Sequence, residues 1–356
     1  MNLNTLIKEN NIIDAVKHCL NEKYNDLAML LLIVYKDKNG STKEFLELQN
    51  KINQSILPNN LLIPSKKIKV YMACNWCSSE DLLKTWNKMS ENMNLSWGNV
   101  QLVSCEPCDF YCIINKPPPG MIIDKKKTIL FRMEPHMEKN IHQFGEEYAN
   151  PNPNDFFFVA SHDKYYNNNE WHLSKSYKWL SSETIEKDES LSSTISTILS
   201  DKYRDPGHIK RIDFVKFIEK KLSIHVYGNN RFLYKDYKGS LPYHNKDNSL
   251  LPYKYSFNVE NHSIKNYYTE KVIDGILSET LVFYSGCFNL RDYIDERAFV
   301  YLELSNFEKD LSTIKQAIDE DWYSQRLPYI KEAKKKILNE LQFFPRLQRI
   351  CNNIFE

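Results

Sequence analysis

The chain has 356 residues, 47 lysines and arginines against 46 aspartates and glutamates, and 13% aromatic residues. That length suits two domains of ordinary size rather than one small core, and the aromatic content excludes a disordered chain. A formal net charge of +1 excludes a strong field drawing the chain to nucleic acid or acidic lipid.

The opening "MNLNTLIKENNIIDAVKHCL" has acidic and polar residues throughout and no small-residue cleavage site, so no secretory signal is read there. The longest apolar run, "LAMLLLIVY" at 27–35, falls short of the roughly 20 residues that span a bilayer. It is expected to be a buried core helix. A soluble, cytoplasmic protein without a transmembrane segment follows, with its eight cysteines reduced. Residues 1–65 read as an appended helical unit: Ile12, Ile13, Val16, Cys19 and Leu20 share one face, the Leu-rich run follows, and "KEFLELQNKINQSIL" continues helical.

From residue 67 short apolar strands alternate with amphipathic helices. "KIKVYMAC", "NVQLV", "CDFYCIIN", "KTILFRMEP" and "DFFFVAS" read as strands, "WHLSKSYKWL" as one more, and "SSEDLLKTWNKMSENM" as a helix with serine caps. The polar stretch 181–193 reads as a linker or mobile loop. A second series begins with strand "TISTILS", helix "HIKRIDFVKFIEKKL" and strand "IHVYG". It continues with strand "YKYSFNVE", helix "TEKVIDGILSE" and strand "TLVFYSG", and helices around "DLSTIKQAI" and "RLPYIKEAKKKILNELQFF" close the chain. The expected fold is α/β, two facing Rossmann-like domains over 66–190 and 191–335, preceded by the helical extension and followed by a closing helix over 336–356.

Three groups of residues suggest chemistry. Cys74 and Cys77 in "CNWC" and Cys105 and Cys108 in "CEPC" have spacings that could together hold Zn²⁺. The competing expectation is small buried thiols, one pair ending a strand and the other in a loop. Asp319, Glu320 and Asp321 resemble a metal-binding triplet but lie in a helical run, and His136 and His142 beside Glu134 match no metal motif. The third group is "YSFNVENHSIKNYYTEK" at 255–271. There Thr269 is a good N-cap, and the helix start it opens suits a phosphate, through free N–H groups and the positive end of the dipole. Lys271 in that first turn goes against the usual acidic preference, and Glu270 is placed to take ribose hydroxyls. A solvated helix start is the plainer alternative.

These residues resemble the donor-site signature of the family 10 glycosyltransferases, the α-1,3/4-fucosyltransferases: a Glu-Asn pair, then a Tyr and a Thr-Glu-Lys opening a helix. Here they are Glu260-Asn261, Tyr267 and Thr269-Glu270-Lys271. "ILSDKYRDPGHIKRIDFVKFI" resembles the segment opening that family's donor domain, with Arg211 as its first-turn arginine. "KTILFRMEP" resembles the acceptor-domain strand whose glutamate is the general base, here Glu134. The closing "FFPRLQRI" resembles soluble giant-virus members, and for a viral chain the compartment would be the host cytoplasm. Departures stand at Val259, where many members have Phe, at His262, and at Ser256, where some have a donor-contacting aromatic.

The resemblance implies a GT-B architecture and inverting transfer of fucose from GDP-fucose to a hydroxyl of a glycan acceptor. Glu134 would be the base, and Arg211 and Lys271 would neutralise the pyrophosphate. Asn261 and Tyr267 would bond the phosphates and Glu270 the ribose, with Glu260, Ser200 and Asp201 as further donor-site residues. No metal would be essential, and acceptor contacts would come from 74–77 and 136–150. Two alternatives stand beside this: a transferase of the same fold using another nucleotide sugar, and a non-catalytic glycan- or nucleotide-binding scaffold.

Overall fold

The computed structural model describes residues 67–353 apart from 136, 163–169 and 230–231. Of the first 66 it describes 11–22, 24, 27–28, 31–32, 34–35, 42, 44, 47–49 and 51. The chain divides into two compact units, Met1–Lys66 and Lys67–Glu356. In the first, helix α1 (Ile12–Asn21) is opened by Asn11, whose side chain accepts the Asp14 N–H. It buries Ile12, Val16 and Cys19 against Ala28, Leu32 and Leu48, and the described parts of 27–35 and 44–51 include further helix. Among the described residues no helix is long and apolar enough to cross a membrane.

The second unit begins with strand β1 (Ile68–Cys74), helix α2 (Ser79–Trp86), β2 (Ser96–Trp97), β3 (Val100–Val103), β4 (Phe110–Ile114) and β5 (Thr128–Phe131). Helices α3 (Glu138–Phe144) and α4 (Glu146–Ala149), β6 (Phe158–Ala160) and α5 (Tyr177–Ser182) complete the first half. Its six strands lie in the order β2-β3-β1-β4-β5-β6. The second half runs β7 (Ile195–Ile198), α6 (Pro206–Ile218), β8 (Ile224–Tyr227), β9 (Tyr237–Gly239), α7 (Asp247–Leu250), β10 (Tyr255–Val259), α8 (Glu270–Leu277), β11 (Leu281–Ser285) and β12 (Phe299–Tyr301). Its order is β12-β11-β10-β7-β8-β9. Strand β2 joins β3 antiparallel, and the other neighbours pair parallel.

Each sheet grows outward from its first strand to one edge and then returns to build the other. That reversal leaves a crevice beyond the strand C-termini, between β1 and β4 in one half and between β7 and β10 in the other. Strands buried on both faces explain the unbroken apolar runs: every residue of β5, β10 and β11 is buried.

Three helices close the chain: α9 (Phe307–Asp319), α10 (Trp322–Lys336) and, after a π-turn at Ile337–Leu341, α11 (Phe343–Cys351). Helix α11 returns to the first half. The Phe343 ring lies 4.6 Å from Trp86 and 5.2 Å from Phe131, Phe344 stacks near Trp97, and Gln342 donates to the Met89 carbonyl. One continuous core therefore joins both sheets.

Two sequence expectations are corrected here. Residues 171–180 are not a strand. Trp171 and Leu173 are buried with strand-like alternation, yet the His172 and Ser174 N–H groups donate to the carboxylates of Asp274 and Asp247, each at 2.8 Å. The stretch 181–193, read as a linker or a mobile loop, is anchored, which leaves only the linker. Ile185 is buried, and the Lys187 ammonium donates to the Leu251 and Ser278 carbonyls at 3.0 and 2.6 Å. Burial draws its pKa down to about 7.

The paired CxxC metal site is excluded by register. Cys74 ends β1, whereas Cys105 and Cys108 precede β4, whose first residue Phe110 sits opposite Val70. The pairs thus lie at opposite ends of the sheet, at least four strand residues or about 13 Å apart. Cys105 is exposed and Cys77 half-buried, so neither fits the small buried thiol expected there. In 319–321, Asp321 caps α10 by accepting the Ser324 N–H, and Glu320 accepts from Gln316 and Trp322. His136 lies outside the described residues.

Candidate functional site

The crevice after β7 and β10 holds a cavity of about 270 Å³, lined by Ser200, Arg211, Gly228, Asn258, Glu270 and Lys271 among others. The stretch that follows β10 sets where α8, one of its walls, begins. Glu260 is 1% exposed and accepts the Thr269 N–H at 2.9 Å, the Thr269 hydroxyl at 2.7 Å and the Tyr284 hydroxyl at 3.3 Å. Thr269 in turn caps α8, its hydroxyl oxygen accepting the Lys271 N–H. Glu260 is therefore a brace that fixes where α8 begins. Burial raises its pKa, opposed by Lys271. Thr269→Ala would remove both the cap and a partner of this buried carboxylate. A loss of about 1–2 kcal/mol is expected in urea unfolding.

Lys271 sits between two carboxylates, 3.2 Å from Glu270 and 3.5 Å from Glu260. Burial works to lower its pKa, but Glu270 and Glu260 outweigh it and hold the ammonium above its ordinary range. For Glu270 burial works to raise the pKa, and Lys271 and Lys246 win, holding the carboxyl well below its usual range. These acidic partners account for a lysine in the first turn of α8 before any ligand is considered.

Arg211 lies in the second turn of α6, not the first as expected, and is 6% exposed. It donates to Ser200 Oγ at 3.2 Å, to Asn261 Oδ1 at 3.3 Å and to the Val259 carbonyl at 3.2 Å. Its buried Nε has no partner in the structure. Helix α6 can come this close because Gly207 has no side chain: a Cβ there would lie 1.8 Å from the Glu260 carbonyl oxygen.

Tyr267 is buried, its ring edge-on to His162 at 5.0 Å. Burial, then Glu260 and Glu134, raise its pKa, so the phenol keeps its proton. Asp201 is exposed and lies outside the cavity lining. Ser256 is fully buried and accepts from Asn258 Nδ2 at 3.2 Å; of the two, Asn258 lines the cavity.

Glu134 does not lie on a strand. Strand β5 stops at Phe131, and Glu134 follows in the loop beyond its C-terminal end. That loop is pinned: Arg132 N–H donates to Ala160, Met133 N–H to Asn115 Oδ1 at 2.7 Å, and His162 Nε2 lies 2.9 Å from the Met133 carbonyl. His162 also accepts, through its carbonyl, from Asn266 of the second half at 2.7 Å. Glu134 is exposed to solvent, yet protein of both halves surrounds it. Desolvation therefore raises its pKa, against the pull of Lys271 and Lys139, while Glu270 and Asp205 push it further up. Across the same gap the Lys139 ammonium lies 3.4 Å from Asp205, the residue that opens α6, and 3.2 Å from His262 Nε2.

Two residues were missed in the sequence. Lys246 lines the cavity, 2.7 Å from Asp274 and 3.7 Å from Glu270. Asp274, 1% exposed, also receives the His172 N–H. Both lie in segments without a motif; an acidic residue on the apolar side of α8 is the one trace Asp274 leaves.

No protein-family model matches the sequence, and no curated protein sequence matches it. Solved structures do. An α-glucosyltransferase in complex with UDP and a 13-mer DNA containing a HMU base is similar at a TM-score of 0.51 and 12% identity, over 81% of this chain and 99% of that one. An α1,3-fucosyltransferase is similar at a TM-score of 0.48 and 17% identity, over 81% of this chain and 90% of that one. The chain thus has the GT-B fold, two parallel-sheet Rossmann-like domains, seen in glycosyltransferases.

Proposed function

We propose that the chain is an inverting glycosyltransferase that moves fucose from GDP-fucose to a hydroxyl of a glycan acceptor. One observation carries this: Glu134, in the first half, lies near enough to Lys271 and Glu270 of the second for their charges to shift its pKa, and it lines the cavity next to theirs. Binding alone would not require a carboxylate of raised pKa opposite a buried cationic pocket. Glu134 takes the proton of the acceptor hydroxyl, and the oxygen so freed forms its bond to the anomeric carbon. The bond from that carbon to the diphosphate breaks on the opposite face, and GDP leaves. Arg211, Lys271 and Lys246 stand where the growing charge on the diphosphate would be met. Asn261, which accepts from Arg211, and the buried Tyr267 stand outside the cavity lining and take the phosphate contacts in this reading. Glu270 accepts from ribose hydroxyls, and Ser200 and Glu260 hold Arg211 and Lys271 in place.

In this scheme side chains do what a divalent ion does elsewhere, so transfer is expected to survive EDTA. Loss of activity in EDTA with recovery in Mn²⁺ would refute it. A second reading, another nucleotide sugar as donor, draws on Ser256, which is buried behind Asn258 and presents no aromatic ring to the donor. Competition between GDP-fucose and UDP-sugars for the same site decides between the two.

A further inference from the structure

Beside Glu134 lies a second cavity, of about 580 Å³, bounded by the loop after β1, helix α2, and residues 243–244 of the second half. Three features mark it as a binding site of a definite kind. Its acidic and basic side chains other than histidine are of one sign: Asp81, Glu134 and Glu170 line it, and among the described residues no lysine or arginine does. Two of its lining residues are large aromatics left open to solvent, Trp76 at 50% exposure and Tyr243 at 88%. Two of its polar atoms, Asn75 Oδ1 and His244 Nδ1, are buried without a hydrogen-bond partner, a cost that a ligand would relieve.

These features fit one chemistry. A flat aromatic face covers the C–H face of a sugar ring, and a sugar hydroxyl both donates and accepts, so it can satisfy an amide oxygen or an imidazole nitrogen. Burial and then His172 lower the His244 pKa to about 4, leaving a neutral ring that suits a hydroxyl rather than an anion. A carboxylate, sulfate or phosphate on the ligand would instead face three carboxylates and no cation in the lining.

We propose that this cavity is the seat of the acceptor sugar and that it takes carbohydrate units bearing no negative charge, rejecting sialylated, sulfated and phosphorylated ones. The inference rests on the transfer reading above and adds to it the class of acceptor. Asp81 and Glu170 set the charge preference, and Trp76 and Tyr243 supply the contact area.

The test uses the full chain, saturated with GDP, on an array carrying the same oligosaccharide cores in neutral, sialylated and sulfated forms. Neutral forms are expected to bind at least about tenfold more strongly than their anionic counterparts, the scale of one unfavourable charge contact. Trp76→Ala and Tyr243→Ala should each lower that binding about tenfold, the worth of one aromatic contact, while thermal stabilisation by GDP stays unchanged. Trp76 and Tyr243 are exposed, so folding should survive; the GDP response reports it. Asp81→Asn with Glu170→Gln should narrow the gap between neutral and anionic forms. Equal or stronger binding of anionic glycans, aromatic variants that bind as wild type, or no glycan binding at all would overturn the inference. GDP binding without glycan binding would remove the cavity's role and leave the donor site standing. Glycan binding by a chain that no nucleotide stabilises would keep the cavity and refute the transfer reading.

Discussion

Glu134→Gln is expected to lower kcat by about 10²–10⁴-fold, the usual worth of a general base, with donor affinity kept. The amide keeps the shape of the carboxyl and most of its hydrogen bonding but cannot accept the acceptor's proton. The loop carrying it is held by backbone bonds at Arg132 and Met133 that do not involve the Glu134 side chain, so the substitution should leave the fold intact. The pH dependence follows from the same group. Desolvation raises the Glu134 pKa, and the base works only when ionised. Activity should therefore be full above that raised pKa and fall as pH drops through it, and Glu134→Gln should abolish this acid limb. Steady-state rates of both proteins across pH check both points. A variant that retains more than about a tenth of wild-type kcat, with chemistry rate-limiting, would show that the base lies elsewhere.

Lys271→Ala and Arg211→Ala are each expected to weaken GDP binding by about 1.5–3 kcal/mol, the range for charge-assisted hydrogen bonds. The two should differ in what else they cost. Lys271 leaves Glu270 and Glu260 together in a buried site without the cation between them, so Glu260 would take up a proton and α8 would loosen at its start. Arg211 ties Ser200, the Val259 carbonyl and Asn261 together, so its loss also frees the strand ends that frame the cavity. Calorimetric titration with GDP, beside urea unfolding of each variant, separates affinity from stability. Glu134→Gln serves as the control: an equal loss of GDP affinity there would contradict a donor site confined to the second half.

The strands were legible because parallel sheets covered on both faces leave unbroken apolar runs, as in "TILF" and "LVFYS". Strands β2, β9 and β12 escaped notice because two or three residues are too few to show a pattern. Residues 171–180 misled because Trp171 and Leu173 alternate like strand residues while their neighbours' N–H groups are met by carboxylates distant in sequence, which no local pattern shows. The same distance hid Lys246 and Asp274 and gave Glu260 the look of a ligand contact when its bonds run to Thr269 and Tyr284. Charge placed within one turn, as at Thr269-Glu270-Lys271, is visible in a sequence. Charge assembled across a cleft is not.

The most direct measurement is a thermal-shift titration with GDP-fucose, GDP-mannose and UDP-galactose, since it needs no acceptor. The expected result is stabilisation by GDP-fucose, about 2.7 kcal/mol at a hundred times its Kd, that is strongly reduced in Lys271→Ala and kept in Glu134→Gln. Stabilisation by UDP-galactose alone would replace the donor, and no response to any of the three would contradict a nucleotide-sugar site in this cleft.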